Sequence, residues 1–241
     1  MILKYFILRE EMGGVLQRSR EEDLPSDIND KDVRAKIIAS WTEANIISFP
    51  WTAEQAKSTS TLSKQTLEKA ADNIALLFCH HRIDLKILEV FAGNCCASQI
   101  IYRAIKDQVI SWICTDAINI NKTIVSDKMR FEHLNAVQGV AKFGNEANVL
   151  LLISPPPYSS TKEGDLGYGD YYACHDFLHN NQRQKYIIFI GELGASDGSQ
   201  GMYKYLTLHP DLNLITRVML DNSPDVFGDL GEKELFIFAT N

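Results

Sequence analysis

From residue 86 onward, short unbroken apolar runs alternate with stretches of helical periodicity. The runs are Ile87–Phe91, Val109–Thr115, Val149–Ile153, Tyr186–Ile190, Leu214–Leu220 and Leu235–Ala239. They are rich in Ile, Val, Leu and Phe and lack polar alternation, the texture of strands buried on both faces of a parallel sheet. Strands alternating with helices predict a doubly wound α/β sheet. A further strand is expected between Asp116 and Val149, but "FEHLNAVQGVAKFG" reads as helix, so no segment is assigned to it. The last two runs are separated by the turn-rich "DNSPDVFGDLGEK", which leaves no room for a crossover helix and predicts an antiparallel final pair.

The first third of the chain has a different rhythm. Val33, Ile37, Trp41 and Ala44 recur at helical spacing. After Pro50 and a Ser/Thr cluster, Ser63 is placed to cap a second helix with Leu67, Ala70, Ile74 and Leu77 on its buried face. Residues 1–82 are therefore expected to form an irregular and helical extension packed on an α/β domain of residues 83–241.

Composition adds boundaries rather than a function. With 45% hydrophobic and 23% charged residues, the 241-residue chain has the make-up of an ordinary globular protein. Its formal net charge of -7 disfavours a surface built for nucleic-acid backbone and tilts any partner toward a protein or a small molecule. No window is long and apolar enough to span a membrane, and "MILKYFIL" is too short for a secretory core. The five cysteines (Cys79, Cys95, Cys96, Cys114 and Cys174) follow neither zinc nor disulfide-scaffold spacing, which suits reduced thiols in a cytoplasmic-type compartment.

Ligands of open α/β sheets sit beyond the carboxyl ends of the central strands. In "KILEVFAGNCCAS", Glu89 lies near the end of a strand, Gly93 permits a tight turn, and the next helix would offer its amino-terminal amides. A carboxylate at Glu89 is placed to accept from a ligand amine or hydroxyl. Asp116 ends the next strand, where an acid commonly binds ribose hydroxyls or caps a helix. Glu192 opens the glycine-rich loop "GELGASDGSQG" and is a candidate general base or cation ligand. His175 and His179 share the i, i+4 spacing of a zinc pair, but no third ligand is evident and no metal is assigned. Tyr168, Tyr171 and Tyr172 could line a pocket, and His80-His81 suit a helix carboxyl end.

Taken together, "LEVFAGN", the following "TDA" and the strand "VLLLI" entering "SPPPYSS" resemble the class I S-adenosylmethionine-dependent methyltransferases. A finer likeness, through "LLLISPPPY", "YIIFIGELGASDGSQGMYKYL" and "ELFIF", is to a little-characterised methyltransferase-like set with a Ser-x-Pro-Pro-Tyr strand end. The resemblance covers roughly residues 86–241. It implies a Rossmann-like, mostly parallel seven-stranded sheet and S-adenosylmethionine as cofactor. Glu89, Phe91, Ala92, Gly93, Asn94, Asp116 and Ala117 would hold the cofactor; Ser154, Pro156, Tyr158 and Glu192 would face the acceptor. Two departures stand out. Cys95 replaces a glycine of the first motif, where a side chain could crowd the cofactor's methionine part. Pro155 replaces the Asp or Asn that precedes Pro-Pro-Tyr in amino-group methyltransferases, leaving only the Ser154 hydroxyl one residue earlier. The alternative reading is a non-catalytic binding protein that keeps the fold, with or without the cofactor. A nicotinamide-dependent oxidoreductase is a third, weakened by the incomplete G-x-G-x-x-G.

Overall fold

Ser63 does what its position in the sequence predicts: its hydroxyl accepts the Thr66 N–H at 3.1 Å and starts helix α1, Lys64–His81. The computed structural model describes residues 62–117, 126–155, 169–180, 184–192, 197–221 and 233–241, all within one compact unit of residues 36–241. The helix expected around Val33–Ala44 lies outside the described residues. Leu67, Ala70, Ala71, Ile74 and Phe78 form the buried face of α1, while Leu77 is only half-buried. The helix stops at Arg82, which takes a left-handed conformation (φ 51°) and donates its N–H to Cys79 O and Phe78 O. Phe78 packs edge-on against Tyr186 with ring centroids 5.1 Å apart, so this helix shares the core of the sheet.

Seven strands follow: β1 Leu85–Val90, β2 Val109–Asp116, β3 Met129–His133, β4 Val149–Ile153, β5 Tyr186–Gly191, β6 Leu212–Asp221 and β7 Lys233–Thr240. Helices α2 (Cys96–Ile105), α3 (Ala136–Phe143), α4 (Gly169–His179) and α5 (Gln200–Leu208) lie between them. The sheet order is β3-β2-β1-β4-β5-β7-β6. The first five strands pair in parallel, and β7 runs antiparallel between β5 and β6. The six apolar runs thus all become strands, and the predicted antiparallel end pair is present.

One reading is corrected. Phe131, Glu132 and His133 are not helical but end β3, opposite Cys114, Thr115 and Asp116. The helix begins only at Ala136, after an Asn135–Gln138 capping box in which each side chain accepts the other residue's N–H. β3 is a short edge strand with just Met129 buried, so it carries none of the apolar run that marks the central strands.

Strand alternation divides the core into two layers. Ile87, Trp112, Leu151, Ile188 and Ile237 point toward α1 and α2. The opposite face, with Leu88, Val90, Leu152 and Phe189, is covered by α3–α5. Gly139 lets α3 approach β2 closely, since a Cβ there would lie 2.8 Å from Thr115 Oγ1. Lys185 is buried beside this layer: its ammonium donates to Gly144 O and Phe177 O and lies 4.1 Å from the Phe177 ring centroid. Burial pushes this amine down to about 8. Among the described residues no helix is long and apolar enough to cross a membrane.

Candidate functional site

β1 is flanked by β2 and β4, so the chain leaves the sheet in opposite directions from β1 and β4 and opens a crevice at their carboxyl ends. Backbone strain collects along that edge. Among the described residues, seven have positive φ, and all but Arg82 lie there: Phe91 (59°), Gly93 (54°), Cys95 (63°), Ser154 (40°), Gly191 (151°) and Gly198 (77°). Left-handed backbone costs a residue with a Cβ roughly 1–2 kcal/mol, so Phe91, Cys95 and Ser154 hold shapes that glycine would take more easily.

The loop after β1 folds back on β2. Ala92 N–H donates to Thr115 O at 3.1 Å, and Gly93 N–H donates to Asp116 Oδ2 at 2.8 Å. Cys95 N–H closes the turn on Ala92 O, and Asn94 Oδ1 accepts the Cys96 N–H at the start of α2. Phe91, Gly93 and Asn94 are half-buried, as is Ala117, whose carbonyl accepts from His133 Nε2 at 2.7 Å. The predicted cofactor residues around this loop are therefore brought together, with Asp116 acting as its anchor.

Glu89 is the exception. Its carboxylate does not face the crevice: Oε1 accepts from Ser98 Oγ at 2.9 Å, and Oε2 accepts from Trp112 Nε1 at 2.8 Å and Cys114 Sγ at 3.5 Å. The residue is 1% exposed, and burial pushes its carboxyl up to about 7, with the three donors opposing the rise. The side chain points toward α2, and its oxygens are engaged there by Ser98, Trp112 and Cys114. Cys95 is also buried, its thiol against Cys114 beneath the loop, so it does not crowd the open side of the turn.

At β4 the chain turns through Ser154, whose N–H donates to Ile190 O at 2.8 Å; Pro155 O accepts the Gly198 N–H at 2.9 Å. Pro156 and Tyr158 lie outside the described residues. At β5 the Glu192 N–H donates to Asp197 Oδ2 at 2.7 Å. Asp170, in the first turn of α4, accepts from Ser199 N at 2.5 Å and Ser199 Oγ at 2.8 Å, and so ties α4 to the start of α5. Burial raises the Asp170 carboxyl to about 6. Sequence reasoning missed Asp170, Asp197 and Lys233; the Gly-Asp start of α4 was the one local signal, and the partners lie tens of residues away.

Tyr171 and Tyr172 are buried rather than lining an open pocket, with Tyr171 packed edge-on against Tyr205 at 5.2 Å. Tyr168 lies outside the described residues. His175 and His179 do share a face, but their rings stack on each other with centroids 4.2 Å apart. No group of three His, Cys, Asp or Glu side chains among the described residues is arranged to hold a metal.

No protein-family model matches the sequence, and no curated protein matches it either. Solved structures do. A Listeria monocytogenes protein assigned to the class I S-adenosylmethionine-dependent methyltransferases superposes with a TM-score of 0.50 and 12% identity, covering 87% of this chain and 68% of that one. The 1,6-didemethyltoxoflavin-N1-methyltransferase of Burkholderia thailandensis, solved with its substrate and S-adenosylhomocysteine, gives 0.49 and 9% identity over 92% and 93% of the chains. Against a third structure, of a methyltransferase-type protein complexed with S-adenosylhomocysteine, the TM-score is 0.47 at 9% identity. There this chain matches over 66% of its length and spans 46% of the other. The chain thus has the fold of the class I S-adenosylmethionine-dependent methyltransferases, a seven-stranded mixed sheet with an antiparallel carboxy-terminal pair.

Proposed function

We propose that the chain is an S-adenosylmethionine-dependent methyltransferase acting on a protein or small-molecule acceptor. The observation that carries this reading is the loop after β1. Phe91, Gly93 and Cys95 all hold left-handed backbone, and Asp116 fixes Gly93. A turn that holds this shape with side chains at Phe91 and Cys95 does so at a cost, and strained turns at strand ends are where ligands are held. The residues fit the cofactor in kind: half-buried Phe91 and Asn94 flank the turn, and Asp116 places a carboxylate at the tip of β2. When bound, S-adenosylmethionine supplies an activated methyl group. The task of this chain's residues is then to hold donor and acceptor in line, which alone can lower a barrier by about 7–11 kcal/mol. Phe91, Ala92, Gly93, Asn94, Asp116 and Ala117 would bind on one side; Ser154, Pro156, Tyr158 and Glu192 would orient the acceptor on the other.

The non-catalytic reading is favoured by one specific observation: Pro155 O is already taken by Gly198. The usual acceptor-holding tip of β4 is thereby partly spent on the fold itself. The nicotinamide reading loses support because β7 runs antiparallel between β5 and β6, unlike the sheet order of dinucleotide-binding folds. Isothermal titration with S-adenosylmethionine and with S-adenosylhomocysteine tests the proposal. Micromolar binding of both is expected; no binding at millimolar ligand would overturn it and leave a fold kept for its surface.

A further inference from the structure

Three segments of the chain meet at the carboxyl tip of β5. Gly191 ends the strand, and a Cβ there would lie 2.6 Å from Asp197 Oδ2, so the Asp197 carboxylate fills space that only glycine leaves open. That carboxylate accepts the Glu192 N–H at 2.7 Å, and the Asp197 N–H donates back to Glu192 O at 3.2 Å. The third segment is the start of β7. Antiparallel pairing sets Glu234 opposite Gly191 and so delivers Lys233 to the same tip. Lys233 Nζ lies 3.3 Å from Asp197 Oδ2 and 3.7 Å from Glu192 Oε2.

Exposure separates the roles. The Lys233 and Asp197 side chains are 4% and 6% exposed, whereas Glu192 is 24% exposed. A buried ammonium and a buried carboxylate in contact compensate each other, and removing either alone leaves a charge stranded in the core. The three formal charges sum to one negative, and Glu192 is the member that meets solvent. Its backbone is fixed by Asp197 and its carboxylate is reached by Lys233, so its aim is set by residues far away in sequence.

We infer that Lys233 and Asp197 are positioning residues that hold the Glu192 carboxylate at the carboxyl edge of the sheet to receive a cationic or amine nitrogen. The inference rests on the methyltransferase reading above. It can be tested without knowing the acceptor, using sinefungin, an S-adenosylhomocysteine analogue that carries an amine where the donor carries its methyl-sulfonium. Titrations of the full-length protein would compare sinefungin with S-adenosylhomocysteine. The wild type is expected to prefer sinefungin at least tenfold. Glu192→Gln and Lys233→Met should both lose that preference, with S-adenosylhomocysteine affinity kept in the Lys233→Met protein. Lys233→Arg should restore part of it. The double variant K233M/D197N removes both buried charges together, guards against misfolding of the single variant, and should also lack the preference. A merely structural role would weaken both ligands in parallel and leave their ratio unchanged. The inference is overturned if K233M and K233M/D197N keep the ratio that E192Q loses, or if E192Q keeps it. A wild type that binds neither ligand overturns the methyltransferase reading, and this inference with it.

Discussion

Glu89 is register-paired with Cys114, two residues below Asp116 on β2, and that offset decides what each acid does. Asp116 stands at the strand tip and fixes the Gly93 amide; Glu89 is enclosed by Ser98, Trp112 and Cys114. Replacing Asp116 by Ala should remove that anchor and lower S-adenosylhomocysteine affinity by at least about tenfold, a 1.4 kcal/mol loss by titration calorimetry. Unchanged affinity would mean the ribose side lies elsewhere. For Glu89 the folded carboxyl is raised from 4.5 to about 7, so the folded state holds its proton more tightly than the unfolded one. Stability from this group is therefore greatest at low pH and falls as pH rises through that window, by about 3 kcal/mol in all. Glu89→Gln should flatten that slope in urea titrations run across the window. Glu89 and Asp116 were both legible as notable acids from the sequence. Their different fates were not, because they depend on whether α2 and Trp112 close over the side chain.

At the scale of elements, the central strands announced themselves because they are buried on both faces, and the α1 cap was legible because Ser63 acts within one turn. β3 was not. A five-residue edge strand with exposed Arg130 and His133 carries no apolar run, and the following helix lent it a false periodicity. The link between α4 and α5 was equally hidden, since Asp170 and Ser199 are 29 residues apart. Ser199 serves twice there, accepting the Met202 N–H at 3.0 Å as the cap of α5 and donating to Asp170. Ser199→Ala should therefore cost about 1–3 kcal/mol, as the lost cap combines with the loss of one donor to the buried Asp170 carboxylate, whose Oδ1 keeps only the Tyr171 N–H at 2.7 Å. Ser199→Thr should recover part of that in the same denaturation assay. Gly198→Ala should also destabilise, because φ is 77° and a Cβ would sit 2.5 Å from Met202 Cε and 3.2 Å from Asp170 Oδ2.

Across the whole molecule, buried acids shape the response to pH. Asp170 is raised from 3.8 to about 6, which adds a second contribution of the same sign as that of Glu89. Thermal midpoints should fall from about pH 4 to about pH 7. A variant with Glu89→Gln and Asp170→Asn should show little of that fall, and a wild-type curve rising over this range would contradict the burial argument. The sheet order carries a different consequence, one for the chain during its synthesis. β6 pairs only with β7 among the described strands, yet it is made first. While the ribosome has not yet released β7, the open flank of β5 and the whole of β6 have no partner, and each is a template for another chain. A nascent chain stalled just before Lys233 should thus be the species that chaperones grip most firmly, and the one most prone to aggregate when they are withheld.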